Sequence, residues 1–486
     1  MIRFGEWLPD QPPLENKGAS FVRDCLPTIN GYKPYYSLVP YSDALDAYCR
    51  GAISVKDTAG AIYNYAGDAA KLYTLSTDAW SDISLGGGYA TATGEHWEFV
   101  KWGNKVLAVN FSDNPQQITL GGANFSNLTT ALKMRHIAVV RNFVVGGNTY
   151  DGVDGNVPYR VRWSALNDET DWTVSASTQA DYQDLVGNGG WVQAISGGEY
   201  GVVFQERSIW RMSYVGSPVI FQFDETIPNM GTPAPKSIAR HGDIIFALLQ
   251  DGFYIVRNGS ELIPIGEGKV DKYFFKDIDF SNIKRMVGAI DRRNQCVRWI
   301  YPGQHNENGR PNKELIYNWV SKHWSQAYSE AEFMYSAAGS SATLEGLDAI
   351  SSSIDALTES LDSPIYIGGV RELAAFNAQH MLGFFSGDAL TATVETAEAQ
   401  LTKGKKTFIG RVRPIVDVAD TVKVALGYRN RQQDVINWLG SKQINSDGVC
   451  AFRNQARFHR ARVIVESADF GEMIGVDVDA APGGNR

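Results

Sequence analysis

Cysteine is scarce in this chain of 486 residues. Its four thiols, Cys25, Cys49, Cys296 and Cys450, stand far apart, and none belongs to a CxxC or Cys/His spacing. That argues against a zinc site and against a disulfide framework, and points to a reducing compartment. Long hydrophobic runs are also missing: nothing approaches the roughly 18 apolar residues that span a bilayer. The opening Met1-Ile-Arg-Phe-Gly-Glu-Trp-Leu-Pro-Asp10 has no apolar core of the kind a signal peptide needs. Positive charge is in deficit, with a formal net charge of −9. This argues against a nucleic-acid grip driven by phosphate neutralisation, and it leaves room for a passage through which DNA slides without sticking. No phosphate-cradling glycine loop, GxSxG elbow or HExxH helix occurs, and the seven histidines are dispersed. Expected cofactors and metals are therefore none, and no catalytic residue is assigned.

Glycine, at 48 residues, and aromatics, at 12%, are plentiful, a combination that suits short strands joined by tight turns. One degenerate module recurs about seven times: an apolar strand, a hairpin turning on Gly, Asn or Asp, and a closing strand that often carries Trp or Phe. The clearest copy is Gly51–Val55, Ile62–Gly67, Lys71–Leu75 and Trp80–Ser84. Later copies start at His96, His136, Trp191, Ser237, Met286 and Phe333. The third is read with Trp172–Val174 as its last strand, and the seventh as Phe333–Tyr335, Ile365–Gly369, Glu372–Phe376 and Leu382–Phe385. A four-strand unit repeating every 40 to 60 residues or so is the signature of a propeller blade. No blade buries both its faces alone, so the ring has to close.

The fold expected is all-β: a β-propeller of about seven blades over 49–387, then an antiparallel β-sandwich or barrel-like domain over 388–480, with a loose tail at 481–486. Residues 1–48, with prolines at 9, 12, 13, 27, 34 and 40, read as an extended arm. Such an arm packs on its own chain or reaches a neighbour. Trp7, Pro12 and Pro13 are the candidate assembly contacts. Inside the seventh module, an insertion over 344–364 steps its leucines and isoleucines by three or four residues, as one side of a helix does. Asp348, Asp355 and Asp362 recur along one edge of it, as a solvated face or as an acidic edge facing a channel.

Two further polar stretches bear weighing. Ser76-Thr-Asp78-Ala-Trp80 faintly resembles a sialidase blade turn but lacks its Gly and Thr, so a plain turn is preferred. Asp151-Gly-Val-Asp154-Gly-Asn156 offers carboxylates for Ca²⁺, but it matches no EF-hand spacing and is built of ordinary turn residues. A glycosidase needs two carboxylates at a set separation, and with 54 acidic residues the sequence alone does not exclude such a pair across a propeller mouth.

Several stretches resemble the tail nozzle proteins of short-tailed phages and related prophages. They are Phe4-Gly-Glu-Trp-Leu-Pro-Asp10, Cys49-Arg-Gly-Ala52, Arg160-Val-Arg-Trp-Ser164 with Asp171-Trp172, Leu344–Asp348 to Ser360–Pro364, Leu382–Ser386, and Phe458–Arg462 with Gly475–Asp479. They run in order from end to end of the chain. None is a catalytic motif, so their number and order carry the likeness. The resemblance implies a non-enzymatic virion protein, assembled in the host cytoplasm into a ring, usually hexameric, that extends the portal and adaptor channel. Its implied partners are copies of itself, adaptor (head-to-tail connector) proteins and fibre or plug proteins. Double-stranded DNA would pass through without sequence-specific binding, and the chain would not insert into a membrane. The alternatives are a propeller glycoside hydrolase or host-glycan-binding tail protein, and an intracellular binding platform. The sequence lacks the WD40 and kelch signatures that the last of these carries.

Overall fold

A computed structural model of the chain describes residues 1–14, 16–338 and 371–483. Seven four-stranded antiparallel sheets follow one another around an axis, and two larger sheets pack beside them. The protein is a β-propeller carrying a β-sandwich. Blade one is Gly51–Lys56, Ile62–Gly67, Leu72–Ser76 and Ala79–Asp82. The first strands of blades two to seven start at Glu98, Leu132, Val192, Ala239, Val287 and Phe333. Neighbouring first strands lie against one another at every junction but that of blades four and five, where the blade-four strand meets Pro235–Ser237, and this puts the first strands innermost.

The core is divided among the gaps between blades. One buried cluster joins blades one and two, others join two to three, three to four and four to five, and another links six, seven and one. The largest runs through blades five and six into the sandwich. There Trp299 and Trp324 stack at 5.8 Å, with Phe253 4.8 Å from Trp299. Burying each such ring contributes on the order of 3 kcal/mol. Between blades one and two, Trp97 is 1% exposed and its indole N–H donates to the Asp68 carbonyl at 2.8 Å. It fits only because Gly51 and Gly67 face it: a Cβ on Gly67 would lie 2.5 Å from the indole ring.

The N-terminal segment is not a free arm. Tyr36–Ala44 is the outermost strand of blade seven, beside Met381–Ala389, so the start of the chain closes the ring against its far end. Pro40 is tolerated because an outermost strand leaves one row of N–H groups unpaired. The fourth strand that the sequence places at Leu382–Phe385 is thus the third, and the Ile365–Gly369 strand lies outside the described residues. Blade three closes with Asp181–Asp184 rather than Trp172–Val174. Trp172 instead plugs the preceding loop, donating its indole N–H to the Glu169 carbonyl at 2.8 Å.

The sandwich likewise draws on both ends of the chain. One sheet orders Cys25–Pro27, Tyr32–Pro34, Met473–Pro482, Thr407–Val416 and Cys450–Ala456, with Ile2–Arg3 beside Met473–Pro482. The other orders Ala19–Arg23, Ala392–Thr396, Phe458–Val465, Val422–Arg429 and Asn437–Gln443. The last strand continues through Pro482, past the start of the expected tail. Between them, Asp10 accepts hydrogen bonds from the backbone N–H groups of Lys272 and Tyr273, at 2.9 and 2.8 Å, and so caps the short helix Asp271–Asp277. No helix among the described residues is long and apolar enough to cross a membrane.

Candidate functional site at the propeller axis

Strands in a blade alternate in direction, so every connection into an innermost strand reaches the axis on the same face. Five such connections or strand starts meet at one cleft, of about 370 Å³ with its open mouth. His96 and Glu98 come from blade two, Arg135 and His136 from blade three, Gln193 from blade four, Lys236 from before blade five and Lys284 from before blade six.

Glu98 is the hub. Its Oε1 lies 3.0 Å from Nδ1 of His136 and 3.1 Å from Nζ of Lys236, and its Oε2 accepts from the Ile137 N–H at 3.1 Å. Burial pushes the Glu98 carboxyl up, but Lys236 and His136 outweigh it and hold the group well below the usual carboxylate range. Arg135 pairs with Glu95 at 3.1 Å. His96 Nε2 donates to the Lys284 carbonyl at 2.8 Å; burial, then the nearby Lys236 charge, pushes its pKa down to about 4, so the ring is neutral near pH 7. Near His96, Arg50 donates to the Thr91 and Ala92 carbonyls at 2.8 and 2.6 Å.

The positions singled out in the sequence lie elsewhere. Trp7 is 1% exposed, edge-on to Tyr273 at 5.1 Å, so its role as an assembly contact is corrected: a large apolar ring is worth more in this chain's own core than on an arm. Pro12 and Pro13 are exposed. Asp348, Asp355 and Asp362, with the whole 344–364 insertion, lie outside the described residues. Asp151 and Asp154 face guanidinium groups: Asp154 meets Arg160 at 2.5 Å and Asp151 meets Arg162 at 3.2 Å, while Asp151 also accepts from the turn N–H groups of Val153 and Asp154. In the Ser76–Trp80 turn, the Asp78 carbonyl and the Trp80 indole bind the blade-seven closing strand at Asp43 and Ser42, at 2.7 and 2.9 Å. Among the described residues no three His, Cys, Asp or Glu side chains gather as metal ligands.

Sequence reading missed the axial cluster. Its members lie as far apart as 188 residues, the separation of His96 and Lys284. The available signal was positional: a basic or imidazole side chain stands just before or within the first strand of several blades.

Fold and cluster together define a closed propeller with a polar, charge-paired axis and an appended sandwich. No protein-family model matches the chain, and no curated protein does. Among solved structures the chain is similar to the computationally designed Ika8 protein, at 9% identity and TM-score 0.36, over 72% of this chain and 98% of that one. It is similar to the Pan2 WD40 domain of Neurospora crassa, at 6% identity and TM-score 0.33, over 62% and 82%. It is also similar to BamB from Moraxella catarrhalis, at 9% identity and TM-score 0.30, over 60% and 92%. The fold assignment rests on the sheets themselves, and these likenesses add no function.

Proposed function

We propose that this chain is a structural virion protein: a tail nozzle subunit of a short-tailed phage, assembling with copies of itself into a ring that extends the portal and adaptor channel. The ring retains packaged DNA, conducts it at ejection and supports fibre or plug proteins. The observation that carries this reading is the weaving of the N-terminal segment through blade seven and both sandwich sheets. It ties two units into one stiff block, and a stiff wedge is what a closed cyclic assembly needs. Two features support it. The ordered resemblance runs along the whole chain. The net charge of −9 suits a conduit wall, because a basic lumen would hold phosphates and stall passage.

The test is composition and activity of particles. Mass spectrometry of purified virions should find the chain in a fixed, multi-copy ratio to the portal and adaptor. Release of oligosaccharides from host polysaccharide by the purified chain, lost on changing a carboxylate pair, would overturn the structural reading in favour of a hydrolase.

A further inference from the structure

The axial cleft leaves buried polar groups unsatisfied. His136 is 3% exposed and uses Nδ1 on Glu98, yet its Nε2 has no partner among the described residues. His96 uses Nε2 on the Lys284 carbonyl, and its buried Nδ1 has no partner either. The Lys284 ammonium has no ion pair among the described residues. Lys236 contacts Glu98 and the Trp97 carbonyl, at 3.1 and 3.4 Å, which leaves one of its three N–H donors spare. Leaving a buried polar atom unmade costs about 1–3 kcal/mol. Two such ring nitrogens lining one cleft, beside spare ammonium donors, mark a place built for something polar.

The charge decides its sign. Glu95 and Glu98 are already neutralised by Arg135 and by Lys236 with His136. Lys284, exposed at the rim, then stands in excess. A cation would meet that excess and find no set of three ligands. The cleft as a whole has only about 20 Å³ of space for a water-sized centre, little more than the 10–15 Å³ one water needs. One oxygen fits there, and the rest of the ligand must sit in the mouth among the lysines.

We propose that the axial cleft is a binding site for a small phosphate-class oxyanion. One oxygen enters as a P–OH that donates to the Nδ1 lone pair of His96, and the others accept hydrogen bonds from Lys236 and Lys284. Phosphate suits the mixed lining because it carries both kinds of group. Its P–OH donates to an imidazole lone pair, and its anionic oxygens accept from ammonium groups. The site is independent of the ring proposal, since it is built within one chain.

Isothermal titration of the full chain with inorganic phosphate at low ionic strength tests this, with chloride as the control anion. The expected result is saturable one-to-one binding that weakens about tenfold in Lys284→Ala, the loss of one charge-assisted contact. Lys284 has no partner to lose, so that variant should fold; Lys405→Ala, in the distant sandwich, should bind as the wild type does. Titration with a 5′-mononucleotide identifies the source: tighter binding than inorganic phosphate makes it a nucleotide's terminal phosphate, and equal binding makes it free phosphate. No saturable binding of either up to about 10 mM, or affinity unchanged in Lys284→Ala, overturns the assignment.

Discussion

Two of this propeller's clusters of buried charge differ in how completely they are satisfied. In blade six, Arg298 and Glu314 are 2% and 0% exposed. The guanidinium contacts both carboxylate oxygens and the Tyr35 hydroxyl, and lies 3.6 Å from Asp291. Tyr35 in turn donates to Glu314 at 2.7 Å, and Phe385 of blade seven covers the guanidinium at 4.1 Å. Burial opposes the Arg298 charge, but Glu314, Tyr35 and Asp291 outweigh it and raise its pKa further. At the axis two buried ring nitrogens have no partner among the described residues, and the exposed Lys284 has no ion pair there. The first arrangement is a fastening between the N-terminal segment, blade six and blade seven; the second has the incompleteness of a receptor. Burial alone does not separate fastening from receptor. Between these two clusters, the satisfied donors and acceptors differ.

The largest break in this contrast is removal of residues 1–44. That deletes Tyr35, the closing strand of blade seven and strands of both sandwich sheets. The expected outcome is loss of any cooperative melting transition by circular dichroism; a native-like melt would mean that the segment is an accessory. Next is Arg298→Met, which leaves Glu314 buried without its partner and should cost about 3–5 kcal/mol in a denaturant titration. Lys236→Met at the axis should cost about 1–2 kcal/mol, because Glu98 keeps His136 and the Ile137 N–H. Equal costs would dissolve the distinction.

Why one cluster was partly legible in sequence and the other was not follows from where their residues lie. Arg298 sits in a strong strand pattern, Cys296–Tyr301, and blades one, two, four, five and six were readable because hairpin turns fix their registers locally. Blade seven was not, because its outer strand comes from residues 36–44, more than 300 residues from its neighbour, and Pro34 and Pro40 mask the alternation. Trp7, alone among prolines and polar residues, gave no periodicity to betray its burial. The axial groups sit one or two to a blade, and only closure of the ring brings them together. In the sandwich, by contrast, alternation such as Val422, Val424 and Leu426 inward marked the strands directly.

A smaller effect concerns pH. Burial, reinforced by Asp10, Asp251 and Glu267, pushes the Asp271 carboxyl from 3.8 up to about 7, against the Phe253 N–H that it accepts. The unfolded chain therefore releases this proton between pH 4 and 7 while the folded chain keeps it. Stability falls as pH rises through that window and no further above it. Asp271→Asn keeps the acceptor and removes the penalty. Its gain in melting temperature over the wild type should grow from about pH 4 to 7 and then level off; a constant difference would contradict the assignment. Smallest of all, Lys284→Ala should leave stability within about 0.5 kcal/mol, in keeping with a group that fastens nothing.

The most direct test of the account is electron cryo-microscopy of the purified chain, alone and with its adaptor, beside intact particles. The account predicts a closed cyclic ring of copies, each a propeller with its sandwich held in one fixed orientation, lying distal to the portal in the virion. A strictly monomeric chain that is absent from virions would contradict it.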